Sequence, residues 1–541
     1  MLQPAATYRE VYDSFVWRIP ERYNIAVDVV DRHADATPDA PALIYETPDG
    51  RITTYSFLDM KRLSNRCANL LAGHGIQPGD RFAILLGQTP ETALTHVGCW
   101  KLGAISIPMF TLFGEEALEF RLANSGAKGI LTDRENYPKI AAIRDRLPDL
   151  KSVFLADGPE TGALDFQREM ETASDAFRPR DSRPDDPAFL SYTSGTTGSP
   201  KGALHAHRTM LGHMPGFDIA HGFYGFEGDL HWSPADWAWI AGLMDVLMPT
   251  WWHGKPVLAF RAQGRFDPEQ AFHMIAKHQV RNSLLVPTML KLMRQVPNPA
   301  KVDMRSIVSG GEAVGVEILE WGRRQFGFDI AEGFGQTECN LVLSHVPTLM
   351  PPKTGSLGQP SPGHVGAIVD DDGTILPAGE TGNIAFKRPD PVMMLHYWNN
   401  PEATAQKYAG DWLITGDHGT CDEDGYFWFV GRADDVITSS GYRIGPGEIE
   451  DCLLKHPAVV LAAAIGVPDP DRTETIKAFI VLADGQQEGQ ALEDELRAFV
   501  RGRLAKHEYP RQIEFVADLP TTATGKVMRR VLRQQEMEKL L

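Results

Sequence analysis

Positive charge is scarce in this chain of 541 residues: 53 Lys and Arg stand against 71 Asp and Glu, a formal net of -18. A field of that sign repels polyanions, which excludes nucleic acid and anionic membrane as broad partners and requires any anionic ligand to be met by local basic groups. Cysteine is scarce as well. The five present (Cys67, Cys99, Cys339, Cys421 and Cys452) are scattered and form no CxxC pair. This argues against a disulfide framework or structural zinc and makes the reducing cytoplasm the expected compartment. Long apolar runs are missing: no window of 18 uninterrupted apolar residues occurs, and charges interrupt the first fifteen residues. Neither membrane insertion nor a signal peptide is therefore expected. The last residues, MEKLL, carry no peroxisomal SKL address. There is no repeat and no low-complexity tract.

What is present is an ordinary globular composition, 43% hydrophobic and 23% charged, at a length that calls for several folding units. Short apolar runs such as Phe82 to Leu86 and Ala188 to Leu190 read as buried strands. They alternate with helical stretches such as Ser56 to Ala72, which predicts layered α/β architecture with largely parallel sheets. Gly and Pro punctuation from Pro351 to Pro391 reads as a small β subdomain. A domain boundary is expected at Asp434, dividing the chain into 1–433 and 434–541, the second part a small α+β domain. That second part contains a basic stretch, Arg501 to Arg533, with eight basic and three acidic residues.

The most informative segment is Tyr192-Thr193-Ser194-Gly195-Thr196-Thr197-Gly198-Ser199-Pro200-Lys201-Gly202. Glycines let backbone amides turn toward an anion, the hydroxyls donate further hydrogen bonds and the lysine adds charge, so the loop suits phosphate. It is not a Walker A sequence, because Pro200 stands where that motif needs its second glycine. Four further motifs follow in order: Glu332-Gly333-Phe334-Gly335-Gln336-Thr337-Glu338, Trp412 to Asp417, Gly431 to Asp435, and Pro520 to Lys526.

Together the five motifs resemble the adenylate-forming superfamily of acyl-CoA synthetases, peptide-synthetase adenylation domains and firefly luciferase. Trp232 to Trp239 and Ser439 to Arg443 look most like acetyl- and medium-chain acyl-CoA synthetases. The resemblance implies a large N-terminal domain and a mobile C-terminal domain hinged at Asp434. It also implies activation of a carboxylic acid by ATP to acyl-AMP and pyrophosphate, followed by transfer to CoA. The alternative is an adenylation enzyme that loads a separate carrier protein.

By the same resemblance, Thr193 to Lys201 hold the β- and γ-phosphates, Thr337 contacts the α-phosphate and Glu338 helps hold Mg²⁺. Asp417 receives the ribose hydroxyls with Arg432 beside it, and adenine lies between Gly311-Glu312-Ala313 and Gly333-Phe334. Glu332, Gly335 and Gln336 belong to the same nucleotide motif. Lys526 bridges the substrate carboxylate and the α-phosphate. Ser440, Gly441 and Tyr442 line a pantetheine tunnel. Arg443, Arg472, Arg501, Tyr509, Pro510 and Arg511 are candidates for the CoA nucleotide. Acetyl-specific relatives place a Trp where this chain has Gly335, and Gly310 is also small, so room for an acid longer than acetate is expected: medium-chain, branched or aromatic. Trp237, Ala238 and Trp239 are candidate pocket walls.

Because a side chain at position 441 would block the implied tunnel, Gly441→Leu is expected to abolish acyl-CoA formation while ATP–pyrophosphate exchange continues. A Gly441→Leu enzyme with normal acyl-CoA output would refute the tunnel assignment.

Overall fold

A computed structural model describes residues 2–193, 200–262, 264, 266–312, 314–351, 353–432, 435, 437–439, 442–469, 473–504, 509–522 and 526–540. Of the residues singled out above, Ser194 to Ser199, Ala313, Ala433, Asp434, Ser440, Gly441, Arg472 and Ala523 to Gly525 lie outside them, as do the side chains of Tyr442 and Arg443.

Three sheets organise the described residues. The parallel strands Arg81–Ile84, Ile105–Pro108, Gly129–Thr132 and Ser152–Leu155 form the centre of an eight-stranded sheet, continued on one side by Pro187–Tyr192, Gly202–Ala206 and His396–Tyr397. Nearly every residue of these central strands is buried. Strands covered on both faces read as continuous apolar runs, which is why they are recognisable without alternation. The second sheet has fourteen strands, with Ser306–Gly310 and Ala331–Gln336 parallel at its middle. The Gly- and Pro-rich segment does form strands, Ser356–Pro360, Gly366–Val369 and Gly382–Lys387. They join Trp412–Cys421 and Phe427–Arg432 in an antiparallel unit that continues the large sheet through Ser356–Pro360. The third sheet, five-stranded, belongs to the C-terminal part: Tyr442–Ile444, Ile437–Ser439, Thr473–Leu482 and Val459–Asp469, with Gln512–Phe515 parallel to Thr473–Leu482. Helices Pro446–Leu454, Gln490–Arg501 and Arg529–Leu540 complete it.

Local chemistry sets the helix ends. Helix Phe57–Gly73 starts at Ser56, whose hydroxyl accepts from the Asp59 N–H while the Asp59 carboxylate accepts from the Ser56 N–H. Helix Pro90–Leu102 starts with Pro at its first turn and a Thr89 cap. It ends at Gly103, whose φ of 83° is the left-handed conformation glycine adopts without strain. That helix is buried on every face, Lys101 included. The Lys101 ammonium is 2.6 Å from Asp31 and donates to Asn65 Oδ1 at 2.7 Å. All five cysteines are free, four of them buried. No helix among the described residues is long and apolar enough to cross a membrane.

Asp31→Ala would leave the Lys101 charge buried without its counter-ion, at a cost of about 3–5 kcal/mol. The urea unfolding midpoint should fall accordingly, and Lys101→Met in the same protein should recover most of the loss. Equal destabilisation of the single and double variants would assign the cost to packing instead.

Candidate active site

The strands on either side of the phosphate-type loop pair antiparallel, Tyr192 opposite Gly202 across Pro187–Tyr192 and Gly202–Ala206. The two ends of the loop are tied together, with the Thr193 N–H donating to Lys201 O at 2.9 Å and the Lys201 N–H donating to Thr193 Oγ1 at 3.3 Å. The neighbouring strand His396–Tyr397 pairs Tyr397 with Ala203. The Tyr397 ring lies under the Lys201 ammonium, 5.4 Å from ring centre to Nζ, and its hydroxyl donates to Glu338 Oε1. Both Tyr397 and Glu338 are buried. Burial and the Glu338 charge push the Tyr397 hydroxyl far above its usual range, so it remains a donor.

Strand Ala331–Gln336 delivers the second motif. Gly310 faces Gly333 on the parallel neighbour, and on the other side Cys339–His345 runs antiparallel with a bulge between Phe334 and Gln336. These backbones come very close. A Cβ on Gly310 would stand 2.1 Å from Gly333 O, and one on Gly335 would stand 2.2 Å from Leu341 N. The room expected from missing side chains at Gly310 and Gly335 is therefore not open space, because adjacent backbone fills it. Leu341 itself has φ 55°, an uncommon conformation for a branched residue. Phe334 stacks on Phe386, centroids 6.5 Å apart, and stays part-exposed.

Asp417 and Arg432 are direct cross-strand partners, with Arg432 Nε 3.3 Å from Asp417 Oδ1. Asp417 is 5% exposed. Burial raises its carboxyl above the usual range, opposed by Arg432, Lys407 and Lys526. Gln336 Nε2 donates to Asp417 Oδ2 at 3.3 Å and to Thr415 O at 3.0 Å, while Gln336 Oε1 accepts from Lys407 Nζ at 2.7 Å. A lysine can only donate, so Lys407 turns the Gln336 carbonyl toward itself and its amide N–H groups toward Asp417.

Lys526 closes the site from the C-terminal part. Its Nζ lies 5.9 Å from the Trp239 ring centre, and its side chain would be 3.3 Å from a Cβ placed on Gly311. Burial lowers its pKa, while Glu312 and Asp417 favour its charge. The Lys526 N–H donates to Thr522 Oγ1 at 3.1 Å, and the Thr522 N–H donates to Lys526 O at 2.8 Å. Just beyond, Arg529 grips both Glu450 oxygens, with its Nη2 at 2.9 and 2.7 Å, and is 3.6 Å from Asp435.

The fold thus brings Gly311, Glu312, Trp239, Gln336, Asp417, Arg432 and Lys526 around one space, with Lys201 and Glu338 joined through Tyr397. Trp237 is fully buried in the main core, and Ala238 is nearly so. Arg501, Tyr509 and Arg511 form another grouping, with guanidinium carbons 5.5 and 4.9 Å from the Tyr509 ring centre and Pro510 buried beside them. Sequence reasoning misses Tyr397 and Lys407, for neither sits in a recognisable motif. Among the described residues no group of three or more His, Cys, Asp or Glu could hold a metal alone. A single carboxylate, Glu338, beside a phosphate hairpin does fit Mg²⁺, which is held by one or two carboxylates plus substrate phosphates.

The family model "AMP-binding enzyme" matches residues 30–398, and "AMP-binding enzyme C-terminal domain" matches residues 448–526. The acetyl-coenzyme A synthetase of Bacillus subtilis (strain 168) is 36% identical over 98% of this chain and 95% of its own length. The human mitochondrial acyl-coenzyme A synthetase ACSM5 is 37% identical over 96% of this chain and 92% of its own. The crystal structure of the anthranilate CoA ligase AuaEII in complex with anthranoyl-AMP superposes with a TM-score of 0.89 at 32% identity, covering 97% of this chain and 99% of that one. With both family models matched in order and more than a third of residues shared along nearly the whole length, the chain belongs to the AMP-binding enzyme family, among its acyl-CoA synthetases.

Proposed function

We propose that the protein is an AMP-forming acid–CoA ligase that activates a medium-chain, branched or aromatic acid, a reading supported by its likeness to the acyl-coenzyme A synthetase ACSM5 and to the anthranilate CoA ligase, and that the residues gathered above divide its two half-reactions. The observation that carries this reading is Lys526 seated against Gly311 and Trp239, with Asp417 and Glu312 favouring its charge. In the first half-reaction an oxygen of the substrate carboxylate bonds to the α-phosphorus of ATP, the bond to the β-phosphate bridge breaks and pyrophosphate leaves. Lys526 offers a mobile point charge to the carboxylate and the α-phosphate as negative charge redistributes. The hairpin Thr193 to Lys201 holds the departing phosphates and Thr337 orients the α-phosphate. Asp417 accepts from the ribose hydroxyls, a role for which its Oδ1 is suited, since it is buried and accepts no hydrogen bond from the described residues. Adenine lies between Gly311 to Ala313 and Gly333-Phe334. Glu338, with phosphate oxygens, would hold Mg²⁺, which neutralises charge on the leaving pyrophosphate.

In the second half-reaction the CoA sulfur, having lost its proton, bonds to the acyl carbon and AMP leaves with the former carboxylate oxygen. Residues 1–433 and 434–541 act as the two domains of this cycle, turning about Asp434. The arrangement with Lys526 inserted suits adenylation, and removal of that loop makes way for pantetheine along Ser440 to Tyr442. Arg443, Arg472, Arg501, Tyr509, Pro510 and Arg511 contribute to holding the CoA nucleotide. The cytoplasm is the proposed compartment, supported by the five unpaired cysteines.

For the acid, Trp237, Ala238 and Trp239 are the proposed apolar walls. Since backbone closes the space at Gly310 and Gly335, chain length is limited elsewhere along these walls. Each buried CH₂ contributes roughly 0.8 kcal/mol, about a fourfold preference per carbon until the pocket ends. ATP–pyrophosphate exchange against acids from C2 to C12, branched and aromatic ones included, each with and without CoA, tests the reading. Acetate as best substrate would overturn the pocket assignment, and acyl transfer to a carrier protein but not to CoA would overturn the second half-reaction. Lys526→Ala is expected to lower acyl-AMP formation about 100- to 1000-fold, the scale of removing one preorganised charge contact. The attack of CoA on supplied acyl-AMP should stay near the wild-type rate, and an equal loss of both steps would sink the division of labour.

A further inference from the structure

The phosphate hairpin and Glu338 come from different sheets, and one side chain joins them. Tyr397 sits on the edge strand paired with Gly202–Ala206 of the eight-stranded sheet, whereas Glu338 follows strand Ala331–Gln336 of the fourteen-stranded sheet. The two are also tied through backbone, with the Met394 N–H donating to Glu338 O at 2.9 Å and the Trp398 N–H donating to Gly202 O at 2.7 Å. The Tyr397 N–H donates to Thr404 Oγ1 at 3.0 Å, which leaves the residue little freedom. Its ring and hydroxyl therefore have set positions: the ring under Lys201, the hydroxyl on Glu338 Oε1. Glu338 Oε2 accepts no hydrogen bond from the described residues, and no lysine or arginine among them pairs with this carboxylate.

We infer that Tyr397 is a positioning residue that makes Glu338 a one-oxygen metal ligand and thereby selects Mg²⁺ over larger cations. The inference rests on the reading of Glu338 given above. With Oε1 already accepting from a donor, Oε2 keeps both of its lone pairs free of the described residues, so the carboxylate is biased toward offering a single oxygen to an ion. Mg²⁺ requires near-octahedral geometry and takes single oxygens from carboxylates, whereas Ca²⁺ accepts two oxygens of one carboxylate and six to eight ligands. A hydrogen bond that disfavours the two-oxygen mode thus favours the smaller ion by geometry. The ring acts separately from the hydroxyl. It presents its face to the Lys201 ammonium, which keeps that charge at the end of the hairpin without a carboxylate to neutralise it.

The two effects separate in Tyr397→Phe, which keeps the ring and loses the hydroxyl. Full-length wild type, Tyr397→Phe and Glu338→Gln are compared by electron paramagnetic resonance of Mn²⁺ bound to the enzyme with ATP and no acid present, displacing the Mn²⁺ with Mg²⁺ or with Ca²⁺. A hydrogen-bonding partner of a metal ligand typically carries 10- to 100-fold in metal affinity. In Tyr397→Phe, displacement by Mg²⁺ is expected to need at least about tenfold more ion while displacement by Ca²⁺ changes little, so the preference for Mg²⁺ falls about tenfold or more. Metal-free ATP binding and the KM for the acid stay at wild-type values because the ring remains, while the thermal midpoint falls modestly because Glu338 Oε1 loses its donor. An unchanged Mg²⁺-to-Ca²⁺ preference, or equal weakening of both ions, overturns the inference. Glu338→Gln identifies which reading has failed: if it lowers Mn²⁺ affinity while Tyr397→Phe does nothing, the metal assignment stands and the positioning role falls. If Glu338→Gln leaves Mn²⁺ binding intact, the assignment of Glu338 itself falls.

Discussion

The site depends on how closely three strands approach one another. Ser306–Gly310, Ala331–Gln336 and Cys339–His345 pack so tightly that Gly310 and Gly335 have backbone where a Cβ would be, and Gly333 has the Leu341 side chain 2.7 Å from that point. Any larger residue would push the strands apart. The bulge and the left-handed Leu341 follow from the same crowding, and strain of this kind persists only where the surroundings impose it. From this tight seam the chain passes directly to Thr337 and Glu338, while Gln336 reaches Asp417 on another strand of the same sheet. The motif residues from Gly310 to Glu338 and Asp417 thus share one rigid framework, which Lys201 approaches from the eight-stranded sheet and Lys526 from the C-terminal part.

Electrostatics then works by local placement against an adverse background. The chain carries a net charge of -18, yet four cations, Lys201, Lys407, Lys526 and Arg432, stand at or beside the motif residues. They are held by different means: Lys201 by an aromatic face, Lys407 by an amide and a carbonyl, Lys526 by two carboxylates at a distance, Arg432 by its cross-strand Asp417. Arg529, by contrast, is held on both oxygens of Glu450 and serves as an anchor within the C-terminal part. These cations differ in how completely a carboxylate already occupies them, Arg529 most of all.

Much of this was legible in the sequence. The buried parallel strands announced themselves as apolar runs, the helix from Ser56 by an apolar face with Leu63, Cys67 and Leu70 on one side, and the nucleotide motifs by glycine, hydroxyl and charge in fixed order. Asp417 and Arg432, fifteen positions apart, turned out to be a register pair on one hairpin. What stayed hidden depends on contacts between distant segments. Tyr397 and Lys407 lie outside the motifs read from the sequence, and only the fold brings them to Glu338 and Gln336. The absent side chains at Gly310 and Gly335 misled in the other direction, because a sequence shows that a glycine lacks a side chain but not whether backbone already occupies that volume.

The buried cysteines bear on chemical fidelity. An acyl-adenylate is a potent acylating agent, and any thiolate within reach would be modified by the enzyme's own product. Burial pushes the Cys67 thiol up to about 12 and Cys421 to about 11, and raises Cys99 and Cys339 as well, although Cys339 directly follows Glu338. Only the thiolate is strongly nucleophilic, so these side chains remain inert near neutral pH. The protein forms a thiol-reactive species while its own thiols are kept largely protonated, and leaves it for a thiol that arrives from solution.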